Sequence, residues 1–470
     1  MHEMYQYVMD QIDNEVIPVL FEYIKIPSQS RDYDPDWDKN GLQDEICFLA
    51  MVWASTQGLE NTQIHFLKEP ERTPCILITV DCPEVHEPST TLLYGHLDKQ
   101  PPLTENWSPG LGPYTPIIRG DKLYGRGSTD DGYAFFSCIT MLKALQKYKR
   151  QSNRFVMMFE TDEESGSKDL LYFLEKNKAL VGNPSLVVCL DSGAINYEHF
   201  FTTNSLRGFL EMKVKVSVSS IAVHSGDASG IIPDSFRIAR KLVETLERSD
   251  DQGILIDDFY TDIPSKDYHD AFELVQKLGD QIAWDFPFLP GVLPVTTDKF
   301  EQYINVNWKP AMCLVGIDGI PSLSQSGNVV RPLTTLLLSF RLPPNLDSEI
   351  AEKALIDHFN TIEKPYNAKV DIEIVARGNG FVSGPLTDDM KNALNKASQK
   401  FMGKELLGMC VGGSIPFMNE LAKFYPNAKF LVTGVDGPNS NMHAPDECLD
   451  IPFLKKFLCC LTYVFSGQLE

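Results

Sequence analysis

Two kinds of hydrophobic pattern run along this chain, and they occupy different parts of it. The first kind is a nearly continuous apolar run that ends in polar or glycine residues, which is typical of a strand covered on both faces. This pattern occurs at CILITV (75–80), TTLLYGHLD (90–98), RFVMMFETD (154–162), SLVVCLDSG (185–193) and KFLVTGVDG (429–437). Helical patterns lie between these strands at 133–150 and 168–180. The alternation predicts an α/β fold with a doubly wound, mostly parallel sheet.

The middle of the chain carries a second, alternating pattern. LEMKVKVSV (210–218) places its apolar residues on one face and its charged and polar residues on the other, and KVDIEIVA (369–376) does the same. Such strands have one packed and one solvated face, as in an antiparallel α+β layer, and a helix predicted at 236–248 would cover the packed face. We therefore expect an inserted α+β domain at 207–382, with the α/β domain built from 1–206 and 383–470.

Length and charge narrow the class of protein. A chain of 470 residues is too long for one core, so two domains are expected. Its 42 basic and 64 acidic residues give a net charge of −22, which argues against a nucleic-acid or anionic-membrane partner. No apolar run has membrane-spanning length, and the N-terminus lacks the features of a secretory signal, so a cytoplasmic location is expected. The ten cysteines include no CxxC pair, so neither a disulfide framework nor a cysteine zinc site is expected.

The polar ends of the predicted strands are the first place to look for chemistry, because ligands bind beyond the carboxyl ends of strands in open α/β sheets. His96 and Asp98 end one strand and, with the two-residue period of a strand, project to the same side. Imidazole is a common metal ligand, and a nearby carboxylate can orient it. Taken alone, His-x-Asp fits a surface turn better than a functional site.

Further acidic residues follow the other strands. Asp130 and Asp131, in YGRGSTDDGYAFF (124–136), precede a helix and by themselves also fit an N-cap. No Lys-Ser/Thr follows these glycines, so a phosphate-binding loop is not supported.

The remaining strand ends complete the set. Glu163 and Glu164 follow one strand, Asp191 ends another, and His443 lies in GVDGPNSNMHAPDE (434–447) after the last. Each residue could belong to a turn. Together, two histidines and several carboxylates at one rim form the ligand set of a paired divalent-metal site.

The order H-x-D, GRGxxD, EE-x-GS, D and a C-terminal H resembles the aminoacylase–carnosinase family of co-catalytic dimetal metallopeptidases. The resemblance covers almost the whole chain, and its length is most similar to the dipeptidase and carnosinase branch. It implies a hydrolase that cleaves the amide bond of dipeptides or N-acyl amino acids with a free C-terminal carboxylate. It also implies a catalytic α/β domain with an inserted lid and dimerisation domain, and therefore a homodimer.

The resemblance implies a role for each residue of the set. Asp130 matches the carboxylate that bridges two metal ions, His96 and Asp191 complete one ion, and Glu164 and His443 complete the other. Glu163 matches the general acid/base, which accepts a proton from the metal-bridging water and passes it to the leaving amine. Asp98 matches the acid that orients His96. Two divalent ions are implied, zinc by affinity, with manganese or cobalt as alternatives.

Residues of the inserted domain match the substrate-binding groups of the family. His224, in AVHSG (222–226), matches the histidine that stabilises the tetrahedral oxyanion, and Arg341 matches a residue that binds the substrate carboxylate. Asn328 lies where relatives often have a small polar residue. Gly413 and Ser414, in GGSIP (412–416), match a loop that holds the same end of the substrate. On the residues alone, His224 fits a polar loop, Arg341 a strand-end salt bridge and the glycines a simple turn.

Two departures from the family pattern bear on the substrate. Relatives usually have Lys-Gly soon after the bridging acid, where this chain has Gly132-Tyr133, and dipeptidase relatives often have Arg-Glu where it has Cys410-Val411. We therefore expect a substrate with an uncharged or bulkier acyl side, and not carnosine itself. The alternatives are a deacylase or desuccinylase of the same family, a dimetal phosphatase, and an inactive interaction protein on the same scaffold.

Overall fold

Strands alternate with helices through most of the sequence in the computed structural model, which describes residues 2–248, 250, 252–282, 286 and 288–467. The strands are β1 Thr62–Leu67, β2 Cys75–Val80, β3 Thr90–His96, β4 Ile117–Arg119, β5 Lys122–Tyr124, β6 Arg154–Glu160, β7 Leu186–Cys189, β8 Phe201–Leu206, β9 Gly208–Ser217, β10 Val223–His224, β11 Ala311–Asp318, β12 Val329–Val330, β13 Leu333–Leu342, β14 Lys369–Gly378, β15 Phe381–Val382, β16 Leu407–Val411, β17 Lys429–Val432 and β18 Cys448–Asp450.

The α-helices differ widely in length, from single turns to four turns. They are α1 His2–Gln11, α2 Ile17–Lys25, α3 Trp37–Asn40, α4 Leu42–Thr56, α5 Tyr133–Lys147, α6 Leu170–Lys176, α7 Lys178–Val181, α8 Ser225–Ala228, α9 Ser235–Val243, α10 Ser265–Leu278, α11 Lys299–Asn307, α12 Ser348–Thr361, α13 Asp388–Phe401, α14 Pro416–Phe424 and α15 Ile451–Phe465.

The first of two units contains Met1–Asn204, Ser383–Met409 and Glu420–Glu470. Its main sheet has the strand order β1-β2-β6-β3-β7-β17. Strands β6, β3, β7 and β17 are parallel, whereas β1 and β2 pair antiparallel at one edge. The predicted mostly parallel α/β sheet is therefore confirmed, with an antiparallel edge. Every residue of β2 is buried, which shows that both faces of the sheet are covered.

The second unit contains Ser205–Val382 and Cys410–Asn419. Its antiparallel sheet has the order β11-β13-β9-β14. Buried and partly exposed residues alternate along β9, as its sequence pattern predicts, and helices α9 and α12 pack against the sheet. Leu210, Val214 and Leu338 belong to the core of this unit, which is separate from the core of the first.

The units differ from the predicted domain boundaries at residues 205–206 and in the longer segment 410–419. Residues 410–419, which the sequence pattern assigned to the α/β domain, belong to the second unit because hydrogen bonds hold them there. The N–H of Arg207 donates to the carbonyl of Gly413 at 3.0 Å, and the N–H of Cys410 donates to the Tyr303 hydroxyl at 2.6 Å. The roles predicted for the two domains are separate questions and stay predictions.

One predicted helix is interrupted. The pattern at 168–180 forms two short helices, α6 and α7, which meet at Asn177. The side-chain amide of Asn177 donates to the carbonyl of Phe173 at 2.8 Å. The backbone of Asn177 leaves helical geometry, with φ −107° and ψ 20°, and α6 therefore ends there. Among the described residues, no helix combines the length and the apolar character that a membrane span needs.

Strand β13 offers a matched test of the second core. Leu338 is fully buried, whereas its neighbour Leu337 points to the other face and is partly exposed. We expect Leu338→Ala to lower the free energy of unfolding by about 2–5 kcal/mol, because the substitution leaves a cavity in the core. Leu337→Ala should cost clearly less. Denaturant unfolding of both variants measures the difference, and equal costs would contradict this assignment of Leu338 and Leu337 to opposite faces of β13.

Candidate metal centre

The strand ends of the first unit bring the predicted site residues to one edge of the sheet. His96 ends β3, Glu163 and Glu164 follow β6, and Asp191 follows β7. Strands β6, β3 and β7 are neighbours and parallel, so their carboxyl ends lie side by side. The sheet register, with His96 opposite Glu160 of β6, leaves the two glutamates just beyond the sheet.

His96 lies at the centre of the group. Its side chain is fully buried, and its Nε2 atom lies 3.1 Å from Asp130 Oδ1 and 3.8 Å from Asp191 Oδ1. Its Nδ1 atom lies 3.1 Å from the carbonyl oxygen of Asp98 and 3.4 Å from Asp98 Oδ1. Contacts on both ring nitrogens fix the orientation of the imidazole.

The buried Asp98 carboxylate also contacts the opposite loop. It accepts the N–H groups of Glu163 at 3.2 Å and Glu164 at 3.1 Å. Asp98 therefore holds the turn that presents the two glutamates, in addition to facing His96. The sequence analysis predicted only the contact with His96.

Asp130 lies between two histidines. His96 Nε2 faces its Oδ1 atom, and His443 Nε2 lies 2.9 Å from its Oδ2 atom. His443 Nε2 also lies 3.4 Å from Glu164 Oε2. A carboxylate whose two oxygens face different imidazoles has the arrangement that bridging of two cations requires.

Two overlapping groups of side chains are close enough to share a cation. His96, Glu163 and Asp191 form one, and His96, Asp130 and Glu164 form the other, with the ligand atoms of each group within 4.8 Å of one another. Glu163, predicted as a free acid/base, thus lies within reach of a cation. His443 contacts the second group through Asp130 and Glu164.

The electrostatics of the group match a cation site. Burial raises the pKa of Glu163 and Glu164 well above its usual range, and neighbouring carboxylates raise it further. Burial also raises the pKa of Asp191 to about 6. For Asp130, hydrogen bonds from His443 and His96 outweigh burial and lower the pKa. Glu164 Oε1 is buried and has no hydrogen-bond partner among the residues that the structure describes. The donor set and its uncompensated charge therefore fit divalent metal ions.

Neighbouring residues that the sequence analysis did not assign shape the loop of Asp130. Asp131 is buried, and its Oδ2 atom accepts the N–H of His96 at 3.2 Å. A Cβ atom on Gly95 would lie 2.4 Å from that oxygen, so only glycine permits this approach. In the sequence, the adjacent residues Asp130 and Asp131 could have indicated that Asp131 has a role of its own. An N-cap explained the pair equally well.

The departure at Gly132 also has a structural account. A Cβ atom there would lie 2.3 Å from the Tyr23 ring. Beside it, the buried Lys99 ammonium donates to the carbonyls of Tyr23 at 2.7 Å and Ile26 at 2.6 Å. Tyr23 thus packs against both Lys99 and Gly132, next to the loop that carries Asp130.

The predicted substrate-binding residues lie in the second unit and form two groups there. His224 and Asn328 belong to neighbouring segments, because β10 pairs with β12 and the N–H of Ser225 donates to the carbonyl of Asn328 at 2.8 Å. The exposed His224 side chain accepts the N–H of Gly226 at 3.1 Å.

The second group surrounds Arg341. Its Nη1 atom donates to Ser414 Oγ at 3.1 Å, and burial lowers its pKa. Arg207, which the sequence analysis did not assign, holds the glycine loop by donating its Nε to the carbonyl of Gly412 at 2.9 Å and its N–H to that of Gly413. The resulting loop places a serine hydroxyl beside a guanidinium.

Comparison with known proteins agrees with the sequence resemblance. The model of peptidase family M20/M25/M40 matches residues 92–465. A cysteinylglycine-S-conjugate dipeptidase of Corynebacterium striatum is 27% identical over 376 residues, covering 78% of each chain. A Cys-Gly metallodipeptidase of Candida albicans is 27% identical over 375 residues, covering 77% of this chain and 75% of its own.

A solved structure shows the same fold. Human carnosine dipeptidase 1 aligns with a TM-score of 0.78 and 20% identity, over 99% of this chain and 98% of that chain. The two-part α/β architecture is thus shared by a protein of low sequence identity.

The raised pKa of Asp191 predicts a pH-dependent effect on the metal-free protein. Folding then favours the protonated form, so this carboxyl destabilises the folded state progressively as pH rises from 3.8, its ordinary pKa, to about 6. We expect Asp191→Asn to stabilise the metal-free protein at pH 8 by on the order of 1–3 kcal/mol, with the difference vanishing near pH 4. Denaturant unfolding at both pH values measures it, and equal stability at pH 8 would contradict it.

Proposed function

Because this chain belongs to peptidase family M20/M25/M40, we propose that it is a dipeptidase that hydrolyses the amide bond of small peptides with a free C-terminal carboxylate. The observation that carries the proposal is the cluster of buried and partly buried side chains His96, Asp130, Glu164 and Asp191, with Glu163 beside it. The two relatives named above, which align over three quarters of this chain, are dipeptidases, and this favours dipeptides over N-acyl amino acids.

The residues of the cluster would hold two divalent metal ions. His96 and Asp191 would bind one ion, Glu164 and His443 the other, and Asp130 would contact both through its two oxygens. Bound ions of this kind acidify water and polarise the scissile carbonyl. Zinc is proposed because affinity favours it, with manganese or cobalt as alternatives.

Glu163 is proposed as the group that moves the proton. Burial and the nearby Asp191 carboxylate raise its pKa above that of an exposed glutamate, which makes it a stronger proton acceptor. It would accept a proton from the attacking water and return that proton to the amine nitrogen that leaves. The Asp98 carboxylate, by accepting the N–H of Glu163 and of Glu164, would keep both glutamates in place.

The second unit would bind the substrate ends. Arg341 and Ser414, joined by a hydrogen bond, would bind the C-terminal carboxylate together with the N–H groups of the Gly413 loop. His224 would stabilise the oxyanion, and Asn328 would contact the substrate near it. Cys410 is buried, and its pKa is raised by burial, so its thiol offers no charge to an acyl side chain. We propose an uncharged or bulkier acyl residue.

A mixed library tests the proposed reaction. Metal-reconstituted protein is incubated with dipeptides and N-acyl amino acids, and the loss of each compound is followed by mass spectrometry. Loss of dipeptides supports the proposal, and loss of N-acyl amino acids alone would favour a deacylase. No loss with zinc, manganese or cobalt would contradict the proposal.

Homodimerisation and a cytoplasmic location, which the sequence predicts, are tested separately by light scattering and cell fractionation.

The two adjacent glutamates should respond differently to the same substitution. We expect Glu163→Gln to lower kcat by at least about 10²–10⁴-fold with metal content unchanged, because it removes proton transfer alone. Glu164→Gln should lower the metal content, because it removes a charged ligand. Turnover assays with elemental analysis measure both. Full activity in Glu163→Gln, or loss of metal from it, would show that Glu163 has another role.

If Arg341 binds the C-terminal carboxylate of the substrate, replacing it should change the specificity for that carboxylate. We expect Arg341→Met to raise KM for a cleaved dipeptide about 10- to 100-fold, because a charged hydrogen bond is lost. The matching C-terminal amide should be cleaved with a KM that hardly changes. Equal loss for acid and amide would place Arg341 outside the carboxylate site, and Ser414→Ala should give a weaker version of the same selective effect.

A further inference from the structure

One buried carboxylate near the cluster has no part in the function proposed above. The Glu447 side chain is fully buried, and both of its oxygens accept hydrogen bonds. Oε1 accepts the N–H groups of Thr129 at 3.2 Å and Asp130 at 3.3 Å. Oε2 accepts the N–H of Gly127 at 3.0 Å and Nη1 of Arg126 at 2.8 Å.

All four donors come from the segment that carries Asp130. The backbone leaves helical geometry at Asp130, with φ −127° and ψ 89°, and at Asp131, with φ −126° and ψ 24°. A regular helical ladder therefore does not satisfy the amides of this segment. Glu447 supplies the acceptors for three of them, which a buried segment requires.

The backbone of Glu447 is itself fixed to the same region. Strand β18 pairs with β5, with Cys448 opposite Tyr124, and the N–H of Gly125 donates to the carbonyl of Glu447 at 3.0 Å. His443 lies in the same segment of chain as Glu447, just before β18. One residue thus connects the segment that carries Asp130 to the segment that carries His443.

We infer that Glu447 is a positioning residue that holds the Asp130 carboxylate between His96 and His443; the inference rests on the metal site proposed above. Its carboxylate oxygens accept the N–H groups at and just before Asp130 and so fix the backbone there. Its own carbonyl accepts the N–H of Gly125 and so fixes the end of the loop that contains His443. The 2.9 Å contact between His443 and Asp130 depends on both. Glu447 therefore controls the distance between two proposed ligands without contacting a metal ion.

The surroundings of Glu447 differ from those of the proposed metal ligands. The Arg126 guanidinium, which is also buried, balances its charge. Both carboxylate oxygens are occupied by protein donors, whereas Glu164 Oε1 has no donor. Among the described residues, neither candidate metal group includes Glu447.

The test compares zinc affinity in the full-length metal-free protein. Glu447→Gln keeps the size of the side chain but turns one acceptor oxygen into an NH₂ group that faces N–H donors. We expect zinc to bind about 10- to 100-fold more weakly, as is common for groups that orient metal ligands. Competition with a chelating dye measures the affinity, and dipeptide turnover should recover at saturating zinc with KM unchanged.

Two further variants make the result decisive. Asp450→Asn, in strand β18 just after Glu447, removes a carboxylate charge but keeps an oxygen that can accept the N–H of Phe453, now at 2.8 Å, and should leave zinc affinity unchanged. Glu447→Asp keeps the charge and serves if the glutamine variant does not fold; it too should weaken zinc binding. Wild-type zinc affinity in the folded Glu447 variants would overturn the inference, even if they unfold more easily. Zinc affinity is measured without substrate, so failure of the peptidase proposal would not alter this result.

Discussion

Crowding of buried carboxylates around one imidazole is the constraint on which the rest of the first unit depends. Asp130, Glu163, Glu164 and Asp191 lie around His96, where burial raises the pKa of three of the four. Buried charges of one sign are costly unless cations or hydrogen-bond donors compensate them. Two histidines compensate Asp130, and the proposed metal ions would compensate the other carboxylates. The carboxylates that destabilise the metal-free protein are thus the ones that the proposed chemistry needs.

The surrounding chain serves to hold these charges at fixed distances. Parallel strands deliver His96, Asp191 and the turn that carries the two glutamates to one edge. The segment around Asp130 does not follow a strand of this sheet. It is held by a carboxylate from the far end of the chain, Glu447, and this difference makes Glu447 important for the site.

The second unit carries the proposed substrate-binding residues on a sheet of its own. Its own core and antiparallel sheet support Arg341 at the end of β13, and Arg207 fixes the glycine loop beside it. A guanidinium with a neighbouring hydroxyl suits a carboxylate, whereas the first unit presents acidic ligands for cations. The two units therefore divide the proposed tasks of chemistry and recognition according to the charge of their side chains.

Local patterns in the sequence determined the strand types, the α/β class and, through the resemblance, the set of candidate site residues. Continuous and alternating apolar runs report how many faces of a strand are buried, and this information is contained within a few neighbouring residues. The motif around His96 and Asp98 is local in the same way. Only the tertiary structure decided the antiparallel edge of the sheet, the assignment of residues 410–419 to the second unit, and the contacts of Asp131 and Glu447. These features join residues that are far apart in sequence, or depend on a close approach such as that at Gly95, and no periodicity of hydrophobic residues encodes such pairings.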